Sequence, residues 1–330
     1  MKLQINKSTR QVKLPVAIVS FLLLFQLNLM AQDSTVVTEE TTVPVKVKPV
    51  KNTFQSVWII DNQTVLVPNK GTMEMDIMHR FGVIDEGARD LFGFFEPSNI
   101  RLGMSYAPIN KLFVGIGITK EKMIFDASAK YSIITQTKGK YPVSITYYGN
   151  AALDSRKNSE TDIYDGSAIK HWSDRLFFFH EVIIARKVTS KLSVQVAPNV
   201  THQNAVSGYY SKNDSTGKEI YKSMKNDHFA FSVSARYKLT TVTSVIFNYD
   251  QPITKHPSNN PNPNLSLGVE FNTSSHSFQL FFTNYYSLNQ QRNNLFNKNS
   301  PFAYTDKATG KKVDGRQFLI GFNITRLWSY

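Results

Sequence analysis

The end of the chain alternates between apolar and polar residues. Apolar side chains occupy nearly every second position in this stretch, at Phe318, Ile320, Phe322, Ile324, Trp328 and Tyr330. Because successive side chains of a β-strand point to opposite faces, this period of two predicts a strand with one apolar face. Arg326 interrupts the pattern near the end.

Alternation of this kind recurs along most of the chain and predicts about twelve strands. They span residues 72–82, 99–107, 111–119, 123–135, 142–153, 175–188, 191–203, 227–239, 241–250, 264–273, 275–288 and 316–329. Strands of soluble domains average about five or six residues, and most of these are longer. About ten residues tilted near 45° rise about 23 Å, which matches the apolar band of an outer membrane.

The connections between these segments alternate in length. Apart from the short third connection at residues 120–122, every odd-numbered connection is longer than the even-numbered turns beside it. An up-and-down barrel with short turns at one end and larger loops at the other produces this alternation. The sequence therefore predicts an all-β protein, a closed antiparallel transmembrane β-barrel of about 12 strands with both termini on the periplasmic side.

Four regions follow one another along the chain. Residues 1–31 have a basic start and a short apolar run, and are predicted to be a cleaved signal peptide of an exported protein. Residues 32–53 lack aromatic residues and are predicted to be a flexible leader. Residues 54–71 are predicted to form a short hairpin or a plug-like segment, and residues 72–330 the barrel.

One loop carries a helical pattern. Residues 85–96 (DEGARDLFGFFE) begin with an acidic capping residue, place apolar side chains at helical spacing and are followed by Pro97. We expect a short helix in this first external loop, lying over the mouth of the barrel or on the outer leaflet.

Several motifs resemble those of a known family. They are FQSVWIIDNQTVLVPNKG at 54–71, HRFG at 79–82, DLFGF at 90–94, NIRLGMSYAP at 99–108, KLFVGIGITK at 111–120, FDASAKYSIITQ at 125–136 and ARK at 185–187. In this order they are similar to an outer-membrane β-barrel family of Bacteroidetes-type bacteria that is catalogued only as a domain of unknown function. The resemblance covers nearly all of the mature chain, and it implies the barrel fold without assigning any functional residue.

Composition narrows the chemistry. The chain has no cysteine, which excludes disulfides, thiolate chemistry and a lipid-anchor cysteine. Since residues 1–31 carry four basic residues and no acidic one, their removal lowers the formal charge from +13 to +9. No histidines recur at the close spacing of a metal site, so neither a metal nor another cofactor is expected.

The polar faces of the predicted strands define a candidate lumen, meaning the space inside the barrel. Four acidic and five basic residues face it, and we predict that they line it: Glu74, Asp76, Arg80, Arg101, Asp126, Lys130, Arg236, Lys238 and Glu270. These charges either select a solute in a polar channel or close the lumen by pairing with one another.

Three functions from different classes remain open. The first is an outer-membrane barrel that passes or binds a small polar solute without covalent chemistry. The second is a structural or scaffolding barrel with a closed lumen, whose external loops bind a partner. The third is a surface lipid hydrolase, for which His180–Glu181, Thr201–His202 and Asp227–His228 are the candidate pairs. The favoured prediction is that the protein is not an enzyme.

The predicted surroundings follow from the same segments. Outer-membrane lipid is expected around the barrel, and nucleic acid is not expected at a cell surface. The basic loops at residues 204–226 and 289–315 make an anionic surface glycolipid a further candidate partner.

Overall fold

Twelve of the strands close into a single antiparallel barrel. The computed structural model describes residues 48–330 apart from 86, 158–168, 170, 207, 213–215, 218, 257–259, 306–309, 311 and 330. The barrel strands are β3 (Thr72–Val83), β4 (Asn99–Ile109), β5 (Leu112–Thr119), β6 (Ile124–Ile134), β7 (Ser144–Asp154), β8 (Leu176–Lys187), β9 (Leu192–Gln203), β12 (Asp227–Lys238), β13 (Thr243–Pro252), β14 (Asn264–Asn272), β15 (His276–Thr283) and β18 (Leu319–Ser329). The predicted fold class is confirmed, and the strand bounds differ from those expected by a few residues.

The remaining elements are short. Three two-stranded hairpins accompany the barrel, formed by β1 (Trp58–Ile59) with β2 (Asn62–Gln63), β10 (Gly208–Lys212) with β11 (Glu219–Ser223), and β16 (Tyr304–Thr305) with β17 (Lys312–Val313). The helix α1 (Gln290–Phe296) lies in the last long loop, and single 3-10 turns occur at Glu121–Met123 and Trp172–Arg175. No helix in the described part of the chain has the length and hydrophobicity to cross a membrane.

Each barrel strand pairs with its neighbours in sequence order, and β18 closes the ring on β3. Ser329 lies opposite Thr72 at one end and Leu319 opposite Val83 at the other, with one irregularity between Leu319 and Gly321. The longest loops lie at the end of the barrel where β3 finishes, which we call the long-loop end. The opposite end, where β3 begins, is the short-turn end.

The two faces of the wall have opposite polarity. In β12, His228, Ser232, Ser234 and Arg236 are buried, whereas Phe229 between them is 56% exposed. The same alternation in the other strands directs polar residues into the barrel and leaves most apolar residues on the outside. A polar interior and an apolar exterior are typical of a barrel that meets hydrocarbon.

Strand β8 is apolar on both faces, so its sequence did not show which side faces inward. The structure places Glu181 inside and His180 outside. Phe179 and Ile183 share the inner face with Glu181, and they pack in an apolar cluster with residues of the 54–67 segment. Apolar residues occur inside β8 because another part of the chain covers them.

A charge on the outer face tests this assignment. Ala129 lies on the outer face near the middle of β6, and its neighbour Ser128 lies on the inner face. Lysine at the centre of the apolar band costs about 2–4 kcal/mol. Ala129→Lys is therefore expected to lower the free energy of unfolding from lipid vesicles by about that amount, and Ser128→Lys by clearly less. Equal losses in urea titrations would mean that the outer face does not meet hydrocarbon.

The prediction of a helix in the first long loop is wrong. The described residues of 85–96 form turns, and the helix of the barrel loops is α1 instead. Leu91 and Phe92 adopt φ values of 50° and 57°, and Gly87 and Gly93 also have positive φ, so the backbone leaves the right-handed helical region. Phe95, which we expected on the apolar face of that helix, is 77% exposed.

Part of the predicted N-terminal organisation lies outside the described residues. This holds for the signal peptide and for most of the leader; at the other end of the chain, Tyr330 also lies outside them. Within the segment predicted as a hairpin or plug, residues 54–67, here called the inner segment, contain β1 and β2. Their apolar side chains are buried in two clusters with inward-facing wall residues.

Candidate functional site

The inner segment occupies the lumen from the short-turn end. Before it, the amide of Val50 donates to the carbonyl of Gln136, in the connection between β6 and β7 (2.8 Å). After it, the amide of Gly71 donates to the carbonyl of Ala107 in β4 (2.8 Å). Both attachment points lie at the short-turn end, so the chain enters and leaves through the same mouth.

Side chains of the wall bind the backbone of the inner segment. Gln279 of β15 accepts a hydrogen bond from the Ile60 amide (3.0 Å) and donates to the Trp58 carbonyl (2.8 Å). Such partners are necessary because a buried backbone group without one is costly. Further wall donors are Asn323, Gln195, Lys130 and Thr146, which bond to the carbonyls of Ile60, Gln63, Thr64 and Val65 respectively.

Asp61 lies at the tip of the inner segment, between β1 and β2. It accepts hydrogen bonds from the hydroxyl of Tyr285 (2.5 Å) and from Nδ2 of Asn293 (3.0 Å). Burial, and secondarily the carboxylate of Asp250, raise the pKa of Asp61. Because Tyr285 and Asn293 belong to the last long loop, Asp61 is the point where the inner segment contacts that loop.

Helix α1 occupies the lumen from the long-loop end. Almost all of its side chains are buried although most are polar. Gln291 donates to Oδ1 of Asn150 in β7 (2.5 Å), and Asn294 donates to Oδ1 of Asn199 in β9 (3.2 Å). Amide side chains that bond to the wall in this way satisfy one another without needing an apolar core. The lumen is therefore occupied from both ends.

Three of the predicted lumen residues form one ionic cluster. Arg101 contacts Asp76 through one terminal nitrogen (2.6 Å) and Asp126 through the other (2.8 Å), and all three side chains are buried. Gly103 and Gly117 flank this cluster, and a Cβ atom at either would collide with it. These glycines are needed for close packing of the ion pairs rather than for a turn.

Four other predicted residues form two groups. Arg236 contacts Glu270 (2.7 Å), and it also donates to Gln55 of the inner segment. Lys130 donates to Oε1 of Gln63 (2.7 Å) and interacts electrostatically with Glu74. The structure thus brings these charges together through the inner segment as well as through the wall.

The last two predicted lumen residues differ in how deeply they are buried. Arg80 is fully buried, donates to Oδ1 of Asn323 (3.1 Å) and lies over the ring of Phe281. Lys238 is only partly buried, at the short-turn end of β12. Eight of the nine residues named from the sequence are therefore buried, and Lys238 is not.

Three acidic residues buried deep inside the barrel were missed, besides Asp154 at the long-loop end and Asp90 in the first long loop. Glu181 and Asp250 lie on the inner faces of β8 and β13, and Asp61 lies between β1 and β2. Alternation along β13, which only Ile246 interrupts on the inner face, indicates the orientation of Asp250, so that signal was present in the sequence. The apolar inner face of β8 conceals Glu181, and nothing in the local sequence places Asp61 inside a barrel.

The candidate hydrolase residues do not form a catalytic site. His180 and Glu181 point to opposite faces of β8. His202 contacts Asp227 (2.8 Å) and Asn204 (3.1 Å) through its two ring nitrogens, which leaves neither for a serine. His228 contacts His256 (3.1 Å). The described chain contains no group of three or more histidine, aspartate or glutamate side chains arranged to hold a metal ion.

Comparison with solved structures gives weak matches to channels. The NanC porin has 8% identity and a TM-score of 0.42, and the match covers 78% of this chain and 99% of that one. The KdgM porin has 9% identity, a TM-score of 0.39 and the same coverage. The toluene transporter TbuX of Ralstonia pickettii has 7% identity and a TM-score of 0.33, with 81% and 91% coverage. Below a TM-score of 0.5, these similarities add nothing to the question of function.

Comparison of the sequence with family models shows to which family the chain belongs. No curated protein matches the chain. The model of a family described as a membrane-bound beta barrel domain of unknown function matches residues 54–328, which include the inner segment and the barrel. This confirms the resemblance found in the sequence motifs, and the chain belongs to the family of membrane-bound beta barrel domains.

Proposed function

We propose that this protein is an outer-membrane channel for a small polar solute and that the inner segment is its movable plug. The observation that carries the proposal is the wall beneath the plug. It presents amides, hydroxyls and charges to the inner segment, at residues such as Gln195, Asn248 and Gln279. Apart from an apolar patch that includes Phe179 and Ile183, a wall of this kind remains compatible with water when the plug leaves.

The energy of docking supports a movable plug. Six buried apolar side chains of the inner segment contribute about 12 kcal/mol at about 2 kcal/mol each. Twelve hydrogen bonds to the rest of the protein contribute about 12 kcal/mol at about 1 kcal/mol each. Ordering 14 residues costs about 21 kcal/mol. The favourable and unfavourable terms are of the same order, which makes departure of the plug energetically accessible.

The contacts of Asp61 suggest how passage is controlled. A solute that displaces α1 from the long-loop end would remove the hydrogen bond from Asn293 to Asp61, and with it one of the bonds that hold the tip of the plug. With the long loops outside the cell, the plug then moves toward the periplasm, through the mouth by which the inner segment enters. The solute and the plug are thus coupled by a single buried carboxyl group.

Cysteine labelling tests whether the plug moves, and the absence of native cysteine makes the experiment clean. Thr64 lies in the inner segment and Ser234 lies on the wall near it, both with no exposed surface. A membrane-impermeant maleimide is expected to label Thr64→Cys and Ser234→Cys slowly and at similar rates, because departure of the plug exposes both. Thr241→Cys, in an exposed turn, is the fast control.

Two outcomes would contradict the proposal. Complete protection of both buried cysteines over many hours would mean that the plug stays in place. Labelling of Thr64→Cys alone would mean that the inner segment moves only locally while the wall remains covered. Either result would favour the alternative, a scaffolding barrel with a closed lumen and partner-binding external loops.

A further inference from the structure

The buried charges of the wall do not balance. Counted over the inner faces of the twelve described strands and excluding the partly exposed ends, they comprise Glu74, Asp76, Asp126, Glu181, Asp250 and Glu270 against Arg80, Arg101, Lys130 and Arg236. Asp154 is left out because it pairs with Arg156 at the long-loop end. Six acidic residues against four basic ones leave the buried part of the wall with two more acidic than basic side chains, while Lys187 and Lys238 lie together, partly exposed, at the short-turn end.

Ion pairing leaves the excess in one region. Arg236 balances Glu270, and Arg101 is shared between two aspartates. Neither carboxylate oxygen of Glu181 has a hydrogen-bond partner among the described residues, although its side chain is almost completely buried. Glu181 interacts electrostatically with Asp250 and with Lys130, which it shares with Glu74.

The inner segment brings no positive charge to this region and contacts its charged residues only through neutral groups. It offers Oε1 of Gln63 to Lys130 and Nδ2 of Asn62 to Asp250 (2.7 Å), and its own charged residue near Glu181 is the acidic Asp61. When the segment leaves, Glu74, Glu181 and Asp250 remain on the wall with Lys130 as the shared cation. Water then reaches an acidic surface.

We propose that the opened lumen selects cations and that its solute is a small polar cation. This inference rests on the proposed channel function and adds the class of solute to it. Acidic side chains that line a constriction favour cations because they replace hydration with attraction. At physiological ionic strength, charges act over about 8 Å, so the excess within the lumen outweighs the basic loops outside it.

The test is ion selectivity in planar bilayers under a potassium chloride gradient. It uses a plug-free variant of the full chain, in which residues 55–66 are replaced by a glycine-serine linker of equal length. We expect a potassium-to-chloride permeability ratio above one, because acidic side chains that line a lumen favour cations. In the plug-free background, Glu181→Gln combined with Asp250→Asn is expected to lower the ratio toward one.

A matched control separates the lumen from the rest of the surface. Asp227→Asn removes an acidic residue that is mostly exposed at the long-loop end, and it should leave the ratio unchanged. Tetraethylammonium and sulfate, used as probes of larger size, should show the same preference for the cation.

The outcomes distinguish this inference from the function on which it rests. A folded plug-free variant without conductance would mean that α1 closes the lumen by itself, and it would overturn the inner segment as the plug. Conductance with a ratio near or below one would overturn cation selection alone, as would an unchanged ratio in the double variant. Each variant is checked for folding by its resistance to unfolding in detergent without heating. This check separates loss of structure from loss of selectivity.

Discussion

Replacing residues 55–66 by a glycine-serine linker of equal length is expected to produce a channel without its plug, in which α1 is the remaining obstruction that a solute displaces. The linker removes five of the six buried apolar side chains and the hydrogen bonds that hold the inner segment to the wall. Loss of a docking energy on the order of a few kcal/mol raises the population of the open state by about one order of magnitude or more. The swelling rate of proteoliposomes in small polar solutes should rise accordingly.

The same linker placed elsewhere provides the control. Substituting residues 36–47 of the predicted leader changes the same number of positions and leaves the inner segment intact. That variant should keep the low swelling rate of the unaltered protein. If the plug-free variant folds but swelling does not increase, α1 closes the lumen by itself, and the interpretation of the inner segment as the plug is wrong.

Arg101→Met is expected to lower the free energy of unfolding by about 3–5 kcal/mol. Methionine fills part of the space of arginine, but Asp76 and Asp126 are left buried without their common partner. Removing one side of a buried ion pair is costly in this way because the remaining charge is no longer compensated. Urea titration of the protein folded in lipid vesicles measures the effect.

A neutral triple variant shows whether the charge causes the loss. Asp76→Asn and Asp126→Asn, combined with Arg101→Met, remove all three charges and keep similar volumes. This variant should recover most of the lost stability, since a buried ion pair replaced by neutral groups is often tolerated. A triple variant as unstable as Arg101→Met would show that shape, not charge, makes this cluster necessary.

The sequence predicted the strands better than the loops. Each barrel strand has the polar interior on one side and lipid on the other. In an alternating segment such as 227–239, every second residue therefore faces the same one of these two environments. The first long loop has no such constraint. Its apolar residues do recur at helical spacing, but Gly87 and Gly93 adopt positive φ, and the chain forms turns instead.

The candidate site was predictable only where alternation was strict. Arg101 and Asp126 were assigned to the inner face because their neighbours alternate, and the structure buries both. Glu181 was not assigned, because Phe179 and Ile183 beside it are apolar on the inner face. Their orientation depends on the inner segment, which covers them.

The sequence by itself determined that this chain forms a long-stranded membrane barrel, because the period of two and the strand length are local properties fixed by water on one face and lipid on the other. Only the tertiary structure decided that the lumen is occupied. Ile60 and Gln279 are separated by 219 positions and meet only when the barrel closes around the inner segment. Contacts of that range leave no periodic signal in the chain, so the position of the inner segment and its contact with α1 depend on the folded arrangement.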